Sequence, residues 1–409
     1  MNFNAFPAYT EYRPIVPVCC ATPHHGATIH RFFDTSPISS DGRYLAVCQL
    51  PFENRLPSPG DAAYVVVVDL ENGEERIVCE TRGWGIQVGA NLQWGGNRWL
   101  YYNDVDERNW SPCLVQLDLY TGKTRRMGKG VFMLSPDGRY ALTHNLAKSR
   151  ITQQGYGVAV PDAYLTRNDN LPQNDGFFLT DTANGRCRLM MPLAQLIMHG
   201  IEKPETFAGG AFYGFQCKWS PDGQRIMYVV RWLPNDGGLR RAMVFTSDKD
   251  GGDIHLALHY KEWAKGGHHV NWHPDSHRIT MNLILNSDHL KLVSFGYDGS
   301  QLHPIMDNVF GSGHPSYHRD GRFILTDAYV DQDLFAYADG SVAIRLIDTE
   351  KQTEQEIIRM KTRTGQDANL RLDPHPAWSK DGRYIVFNGF ATGTRRVYIA
   401  DLSRLLEEE

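Results

Sequence analysis

The sequence predicts an all-β protein with the architecture of a seven-bladed β-propeller. Two observations lead to this prediction: an Asp-Gly turn motif recurs along the whole chain, and a second turn follows each copy of it. The composition agrees, because 42% hydrophobic and 22% charged residues in a chain of 409 can bury a core and exclude a disordered protein.

The first motif is an Asp-Gly pair that in most copies follows Ser or His by one or two residues. Asp-Gly between two apolar runs is typical of a tight β-hairpin. Each copy comes after a short apolar stretch and before a β-rich run such as 43–47. Six copies, of which the one at 273–276 has Asp-Ser in place of Asp-Gly, and one degenerate copy (95–97) lie at 39–42, 95–97, 135–138, 220–223, 273–276, 318–321 and 379–382.

The second turn follows each copy at 69–73, 118–122, 181–185, 248–251, 297–300, 348–351 and 401–403. Two hairpins per unit make a four-stranded sheet, and seven such units indicate a propeller. We expect the N-terminal segment to supply the strand that closes the last blade. The alternative is a β-sandwich in which the repeated turns occur by chance.

We predict one propeller domain over 1–409 with two insertions. The motif copies at 135 and 220 lie 85 residues apart, which indicates an insertion near 145–175. A second insertion near 192–210 has a partly helical pattern. Long loops on a rigid scaffold are common places for ligand contacts.

Charge and cysteine content limit the partners and the compartment. The chain has 42 Lys and Arg against 47 Asp and Glu, so its net charge of −5 does not favour nucleic acid. No apolar run approaches the roughly 20 residues of a membrane helix, so we expect no membrane partner. Seven cysteines without a Cys-x-x-Cys pair indicate a reducing compartment. We therefore predict a cytoplasmic protein, or a periplasmic one if a signal peptide has been removed.

Histidines recur at one register position, three residues before the aromatic residue of each motif. The position holds Gln216, His269, His314 and His375 in the last four blades. A single histidine in a blade is usually structural, but 16 histidines in 409 residues make three consecutive matches rare by chance. If these side chains face the channel, they can bind a divalent metal. His268, beside His269, is a candidate supporting residue.

Arginines accompany these histidines in the sequence. An isolated surface arginine is usually a solvated charge, but a guanidinium also binds a carboxylate through two parallel hydrogen bonds. Several arginines around a histidine-rich channel therefore indicate an anionic ligand. They are Arg31 beside His30, Arg231, Arg240 and Arg241 around the loop 232–239, and Arg371 four residues before His375.

Several segments resemble oligogalacturonate lyases. The ending, 373–378 and 396–401, looks like their last blade, and 30–33 resembles their first-blade Cys-His-Arg motif. His269 and His314 fall where that family has channel histidines. The resemblance follows most of the chain in blade order and is strongest in blades one, five, six and seven. Other propeller-fold uronate lyases, including ulvan lyases, share the architecture.

The resemblance implies metal-dependent β-elimination on uronate oligosaccharides, with manganese as the usual ion. By position, His314 and His375 match family metal ligands, and His269 matches the histidine proposed as the catalytic base. Arg240 or Arg241 lies where the family has an arginine that neutralises charge.

Two positions of the last blade depart from the family, which has Gln and His where this chain has Leu370 and Asp373. Asp373 can bind a metal through oxygen and is a predicted ligand, whereas Leu370 cannot. We therefore expect the metal to recruit Gln216 or His269.

The residue types suit the chemistry. Removal of the C5 proton of a uronate places negative charge beside a carboxylate, which a metal and an arginine can stabilise. A neutral histidine can take the proton, and the leaving oxygen needs a proton from water or a tyrosine. The residues expected to contact substrate are His30, Arg31, Arg231, Arg371, Tyr213 and Tyr329.

Two other functions fit the same fold. A non-catalytic propeller with TolB-like blades would bind a protein partner and hold no metal at this position. A carbohydrate hydrolase would need two carboxylates at the site, and Asp373 is the one acidic residue that we find in the register.

Overall fold

The computed structural model describes residues 1–286, 288–330, 334–363 and 367–407. Within these ranges the chain is mostly β and forms seven four-stranded sheets, which confirms the predicted seven-bladed β-propeller. None of the helices in these ranges has the length and apolar character needed to cross a bilayer.

The chain divides into two compact units. The first unit comprises Met1–Asn103, Leu117–Thr124 and Ser312–Glu409, and the second comprises Asp104–Gln116 and Arg125–Gly311. Each unit has its own apolar core, with residues such as Leu325 and Phe387 in the first and Phe212 and Phe245 in the second. The single domain over 1–409 stays a prediction.

The first strand of the chain is β1 (Val18–Cys20), and the strands β2 to β9 that follow it form the first two sheets. The first sheet consists of β2 (Thr28–Ile29), β3 (Tyr44–Gln49), β4 (Ala63–Asp69) and β5 (Glu75–Thr81). The second sheet consists of β6 (Gln93–Gly95), β7 (Trp99–Asp106), β8 (Ser111–Asp118) and β9 (Thr124–Met127).

The second unit contains the next three sheets. The third sheet consists of β10 (Met133–Leu134), β11 (Tyr140–Thr143), β12 (Gly176–Asp181) and β13 (Cys187–Pro192). The fourth consists of β14 (Gly210–Trp219), β15 (Arg225–Pro234), β16 (Arg241–Asp248) and β17 (His255–Leu258). The fifth consists of β18 (Gly267–Trp272), β19 (Arg278–Leu283), β20 (Lys291–Gly296) and β21 (His303–Pro304).

The last two sheets belong to the first unit. The sixth consists of β22 (Ser316–Tyr317), β23 (Phe323–Thr326), β24 (Ser341–Asp348) and β25 (Thr353–Lys361). The seventh consists of β26 (Ala377–Trp378), β27 (Tyr384–Gly389) and β28 (Arg396–Asp401), together with β1. Strand β1 pairs antiparallel with β28, with Val18 opposite Ala400. The N-terminal segment therefore completes the last blade, as the sequence predicted.

Helices are short. They are α1 (Ser149–Thr152), α2 (Leu193–Gly200), α3 (Tyr260–Trp263) and α4 (Ser403–Glu407), with 3₁₀ turns at Phe3–Ala5, Asp162–Tyr164, Pro204–Phe207 and Ala368–Leu370. The segment predicted as the second insertion holds α2 and one of these turns, and the apolar face of α2 packs into the core of the second unit.

The repeated motif forms the same turn in several blades. In the first sheet the Ser39 hydroxyl donates to the Asp41 carboxylate at 2.6 Å and accepts from the Tyr44 N–H at 2.9 Å. Gly42 has φ of 74°, a left-handed conformation that glycine adopts without steric cost. The same serine-to-aspartate bond occurs at Ser135–Asp137, Ser220–Asp222 and Ser379–Asp381.

Candidate functional site

The first unit brings three predicted metal ligands together. His314, Asp373 and His375 each offer one ligand atom, and these atoms lie within 4.8 Å of one another. All three residues are buried, and the two imidazole rings stand almost perpendicular with centroids 4.2 Å apart. We call these three residues the histidine cluster.

The shared register position is a recurrent irregularity of the backbone. His375 lies two residues before β26 with φ of 49°, and Asn91 and His269 at the same position have φ of 59° and 58°. In the fourth blade, the pairing of β14 with β15 shifts next to Gln216. Positive φ and register shifts turn a side chain away from the regular alternation of a strand. At this position of the blade repeat, the side chain therefore does not follow the regular in-and-out alternation of the neighbouring strand residues.

Asp327 supports the histidine cluster, although the sequence motifs do not point to it. It directly follows β23 and is fully buried. Its Oδ1 accepts from the His314 N–H at 2.7 Å and lies 2.9 Å from His314 Nδ1. Its Oδ2 accepts from the His375 N–H at 3.0 Å. One carboxylate therefore contacts two residues of the cluster that lie far apart in the chain.

Aromatic side chains enclose the two imidazoles. The ring of Phe32 lies 4.7 Å from that of His375, and the ring of Phe33 lies 5.3 Å from that of His314. Tyr329, predicted to contact substrate, has its ring 5.6 Å from His314. These rings limit water around the cluster, and a low local dielectric strengthens its charge interactions.

Burial sets the protonation of the cluster. It lowers the pKa of His375 well below the usual histidine value, and the nearby His314, His30 and Arg371 lower it further. Burial also raises the pKa of Asp373 to about 6, while Arg371, whose Nε donates to Asp373 Oδ2 at 2.9 Å, opposes that shift. At neutral pH the cluster therefore offers a neutral imidazole at His375 and an ionised carboxylate at Asp373.

This donor set fits a divalent cation. Both ring nitrogens of His375 are buried and have no hydrogen-bond partner among the residues that the structure describes. A buried polar atom without a partner is costly, and coordination of an ion would satisfy it. Two imidazoles and one carboxylate are also typical ligands of first-row divalent metals.

Arg31 and His30, two other predicted residues of the first unit, are buried and each forms hydrogen bonds with protein groups, His30 through its backbone. Arg31 is buried and pairs with Asp34, and its Nε donates to the Asn91 side chain. His30 is buried, its N–H donates to Asn388 Oδ1 at 3.0 Å, and burial lowers its pKa to about 4. Substrate contacts by Arg31, His30, Arg371 and Tyr329 stay predictions.

The second unit holds the predicted base. His269 is partly buried, and its Nδ1 lies 2.9 Å from Nδ1 of His268. The side-chain nitrogen of Asn282 lies 3.1 Å from the same His268 atom. Gln216, expected as a further metal ligand, is buried in β14 of this unit. The roles of His269 and Gln216 stay predictions.

Arg231 and Arg240 form a second charged site, which we call the arginine pocket. Arg231 is buried, and its guanidinium lies 3.3 Å from the ring centroid of Phe215. Both arginines donate to the Thr152 carbonyl, Arg231 at 3.4 Å and Arg240 at 3.1 Å. Burial, and then the charge of Arg240, lowers the pKa of Arg231. Within the described residues, Arg231 Nε has no hydrogen-bond partner.

The structure distinguishes Arg240 from Arg241, which the sequence left as alternatives. Arg241 lies over the rings of Trp232, Tyr260 and Phe207, at 4.6, 4.9 and 5.3 Å from their centroids. Its guanidinium is therefore occupied by aromatic faces, whereas that of Arg240 lies with Arg231. The role of either as the catalytic arginine stays a prediction.

Two further side chains of the second unit, those of Tyr213 and His144, lie near Arg231 of the arginine pocket. Tyr213, predicted to contact substrate, is buried opposite Arg231 in the pairing of β14 with β15, and burial raises its pKa. Sequence reasoning missed His144, whose Nε2 lies 2.7 Å from the Ser149 hydroxyl. Burial lowers the pKa of His144 to about 3, so this side chain is neutral. His144 belongs to no repeated motif, so spacing could not reveal it.

Together, the fold and the site define a seven-bladed β-propeller that carries a buried group of residues able to hold a metal ion. No protein-family model and no curated protein matches the chain. The structure is similar to an oligogalacturonate lyase from Vibrio parahaemolyticus, with a TM-score of 0.67 and 14% identity over 97% of this chain and 96% of that one.

Two other solved structures are also similar. An oligogalacturonate lyase in complex with manganese has a TM-score of 0.64 and 14% identity, over 97% of this chain and 96% of that one. The β-propeller domain of the Trilobed protease from Pyrococcus furiosus has a TM-score of 0.53 and 15% identity, over 91% and 96%. At these identities the likeness shows the propeller fold alone.

Proposed function

We propose that this protein is a metal-dependent lyase that cleaves uronate oligosaccharides by β-elimination. The observation that carries the proposal is the buried histidine cluster, whose three ligand atoms lie within 4.8 Å of one another. The fold-level likeness to two oligogalacturonate lyases, one of them in complex with manganese, supports a uronate substrate and manganese as the ion.

In the first unit, His314, Asp373 and His375 would hold the cation. When bound, it would supply Lewis-acid stabilisation of the negative charge that develops next to the uronate carboxylate. The protein supplies the neutral imidazole of His375 and the aromatic walls of Phe32 and Phe33, which limit competition from water.

In the second unit, the arginine pocket would bind a substrate carboxylate. Arg231 is a buried cation without a carboxylate partner among the described residues, and Arg240 adds a second guanidinium beside it. A fixed guanidinium that faces developing negative charge stabilises it without reorganisation. We assign charge neutralisation to Arg240 rather than Arg241, because aromatic rings surround Arg241.

His269 keeps the role of base that removes the C5 proton. His268 Nδ1 lies 3.1 Å from the Asn282 side-chain nitrogen and 2.9 Å from His269 Nδ1. In the proposed arrangement His269 Nδ1 carries the proton and donates to His268 Nδ1. The lone pair of His269 is then on Nε2, where a neutral imidazole can take a proton.

The test is an assay of the manganese-loaded protein on oligomers of galacturonate, glucuronate, ulvan and alginate. Ultraviolet absorbance reports the unsaturated uronide that elimination forms, and an independent assay counts new reducing ends. A lyase raises both signals in parallel on at least one substrate, and the His375→Ala variant raises neither.

The two readouts separate the alternatives. New reducing ends without ultraviolet absorbance would indicate hydrolysis, and the proposal of β-elimination would be wrong. No product from any of the four substrates would favour the non-catalytic propeller.

A further inference from the structure

We propose that Asp327 is a positioning residue of the histidine cluster, which it aligns by fixing the tautomer of His314 and the backbone of His375. This inference rests on the proposed function only in treating the cluster as a metal site. Asp327 lies outside the repeated motifs, and its position directly after β23 places it beneath both histidines.

The geometry gives one carboxylate two partners in two blades. Oδ1 accepts from the His314 N–H at 2.7 Å and lies 2.9 Å from His314 Nδ1, while Oδ2 accepts from the His375 N–H at 3.0 Å. Asp327 and the His314 side chain are almost fully inaccessible to solvent, so water does not compete for these bonds. The carboxylate therefore fixes the position of His314 relative to His375.

The contact also determines which nitrogen of His314 can bind a cation. An ionised carboxylate only accepts hydrogen bonds, so His314 Nδ1 must carry a proton to interact with Asp327. The lone pair of the neutral ring is then on Nε2. A carboxylate behind an imidazole also increases the basicity of the ligating nitrogen, and loss of such a partner typically weakens metal binding by about 10- to 100-fold.

The backbone at Gly313 and at His375 packs closely against Asp327. Gly313 has φ of 60°, and a Cβ at this position would collide with the carbonyl oxygen and Oδ1 of Asp327. His375 adopts a left-handed φ of 49°, which is unfavourable for a residue with a side chain. Its hydrogen bond to Asp327 offsets part of that strain and holds the imidazole in place.

The experiment compares Asp327→Asn with wild type. A matched control is Asp348→Asn, because Asp348 is also a buried carboxylate of the sixth blade but bonds to Arg322 at 2.6 Å. Manganese affinity is measured by titration, thermal stability by calorimetry, and the imidazole tautomers by ¹⁵N NMR of the metal-free proteins, with His314→Ala to assign the signal.

We expect Asp327→Asn to weaken manganese binding by about 10- to 100-fold and to reduce the Nδ1–H tautomer of His314. Asp348→Asn should lower thermal stability and leave both readouts unchanged. Equal manganese affinity in Asp327→Asn and wild type would overturn the inference.

The NMR measurement on wild type, assigned with His314→Ala, does not need Asp327→Asn and decides the case if that variant does not fold. An Nε2–H tautomer of His314 would overturn the positioning role. If wild type binds no metal, the proposed function fails, and the tautomer still tests Asp327 independently.

Discussion

The histidine cluster and the arginine pocket bury charge-bearing groups in opposite ways. In the cluster, the carboxylate of Asp373 accompanies His314 and His375, and the carboxylate of Asp327 contacts both histidines from outside the cluster. In the pocket, Arg231 is buried beside Arg240, and within the described residues neither arginine forms an ion pair with a carboxylate. Acceptor groups around neutral imidazoles suit a cation, whereas two guanidiniums without an acid suit an anion.

The difference shows that burial alone does not define a functional site. Arg345 is as buried as Arg231, but it donates to Glu354 at 2.6 Å. A buried charge with its partner is a structural element, whereas a buried charge that lacks one destabilises the fold until a ligand compensates it. The carboxylate partner of Arg345 therefore marks it as structural, whereas Arg231, with no carboxylate partner among the described residues, is a candidate ligand-binding residue.

The largest expected effect comes from Arg231→Met. Removal of this cation should lower kcat/KM on a uronate oligosaccharide by about 100-fold, because the arginine pocket loses one of the two guanidiniums that would bind the substrate carboxylate. It should also raise the free energy of unfolding by about 1 kcal/mol or more, because the cost of burying a charge without an acidic partner exceeds the stabilisation from its contacts with Thr152 and Phe215. Steady-state kinetics and urea denaturation measure the two effects.

Arg345→Met is the matched control for this experiment. It should lower the free energy of unfolding, because Glu354 loses its partner. If Arg231→Met destabilises the protein as much as Arg345→Met does, Arg231 is a structural residue and the comparison fails.

A smaller effect is expected from the aromatic walls of the two sites. Phe215→Leu removes the ring beneath Arg231 and should cost about 2 kcal/mol of stability, as expected for a desolvated cation–π contact in addition to lost packing. Phe32→Leu removes a ring that packs on a neutral imidazole and should cost about 1 kcal/mol. If calorimetry shows that Phe32→Leu loses more stability than Phe215→Leu, the assignment of a charged Arg231 and a neutral His375 is contradicted.

The effect that is smallest near neutral pH is on the pH dependence of stability. Burial lowers the pKa of His30 to about 4 and of His144 to about 3. The unfolded chain therefore takes up these protons first, and stability falls as the pH drops below about 6.5. Asp373 acts in the opposite sense, because its pKa of about 6 lets the folded state take up a proton first.

These signs predict opposite changes in two variants. Between about pH 6.5 and 4, His144→Gln should make the loss of stability shallower and Asp373→Asn should make it steeper, each by at most about 1.4 kcal/mol per pH unit. Urea denaturation across this range measures both slopes. The same slope in both variants and in wild type would show that neither group is as buried as the structure indicates.

Much of the fold and part of the site could be predicted from the sequence. The Asp-Gly turns gave the blade count because hairpin turns depend on local residues, and the blade repeat placed His314 and His375 at one register. The role of Asp327 could not be found in this way, because its bond to His375 joins positions far apart in the chain. Nor could spacing show that Arg241 lies over aromatic rings while Arg240 lies beside Arg231.

The most direct test of the central claim is manganese binding by wild type, His314→Ala and His375→Ala, with the exposed His277→Ala as control. We predict that wild type and His277→Ala each bind one cation per chain, measured by equilibrium dialysis and elemental analysis. The two cluster variants should bind at least about 100-fold more weakly, because each loses one of three ligands. Unchanged binding in His314→Ala and His375→Ala would contradict the assignment of the histidine cluster as the metal centre.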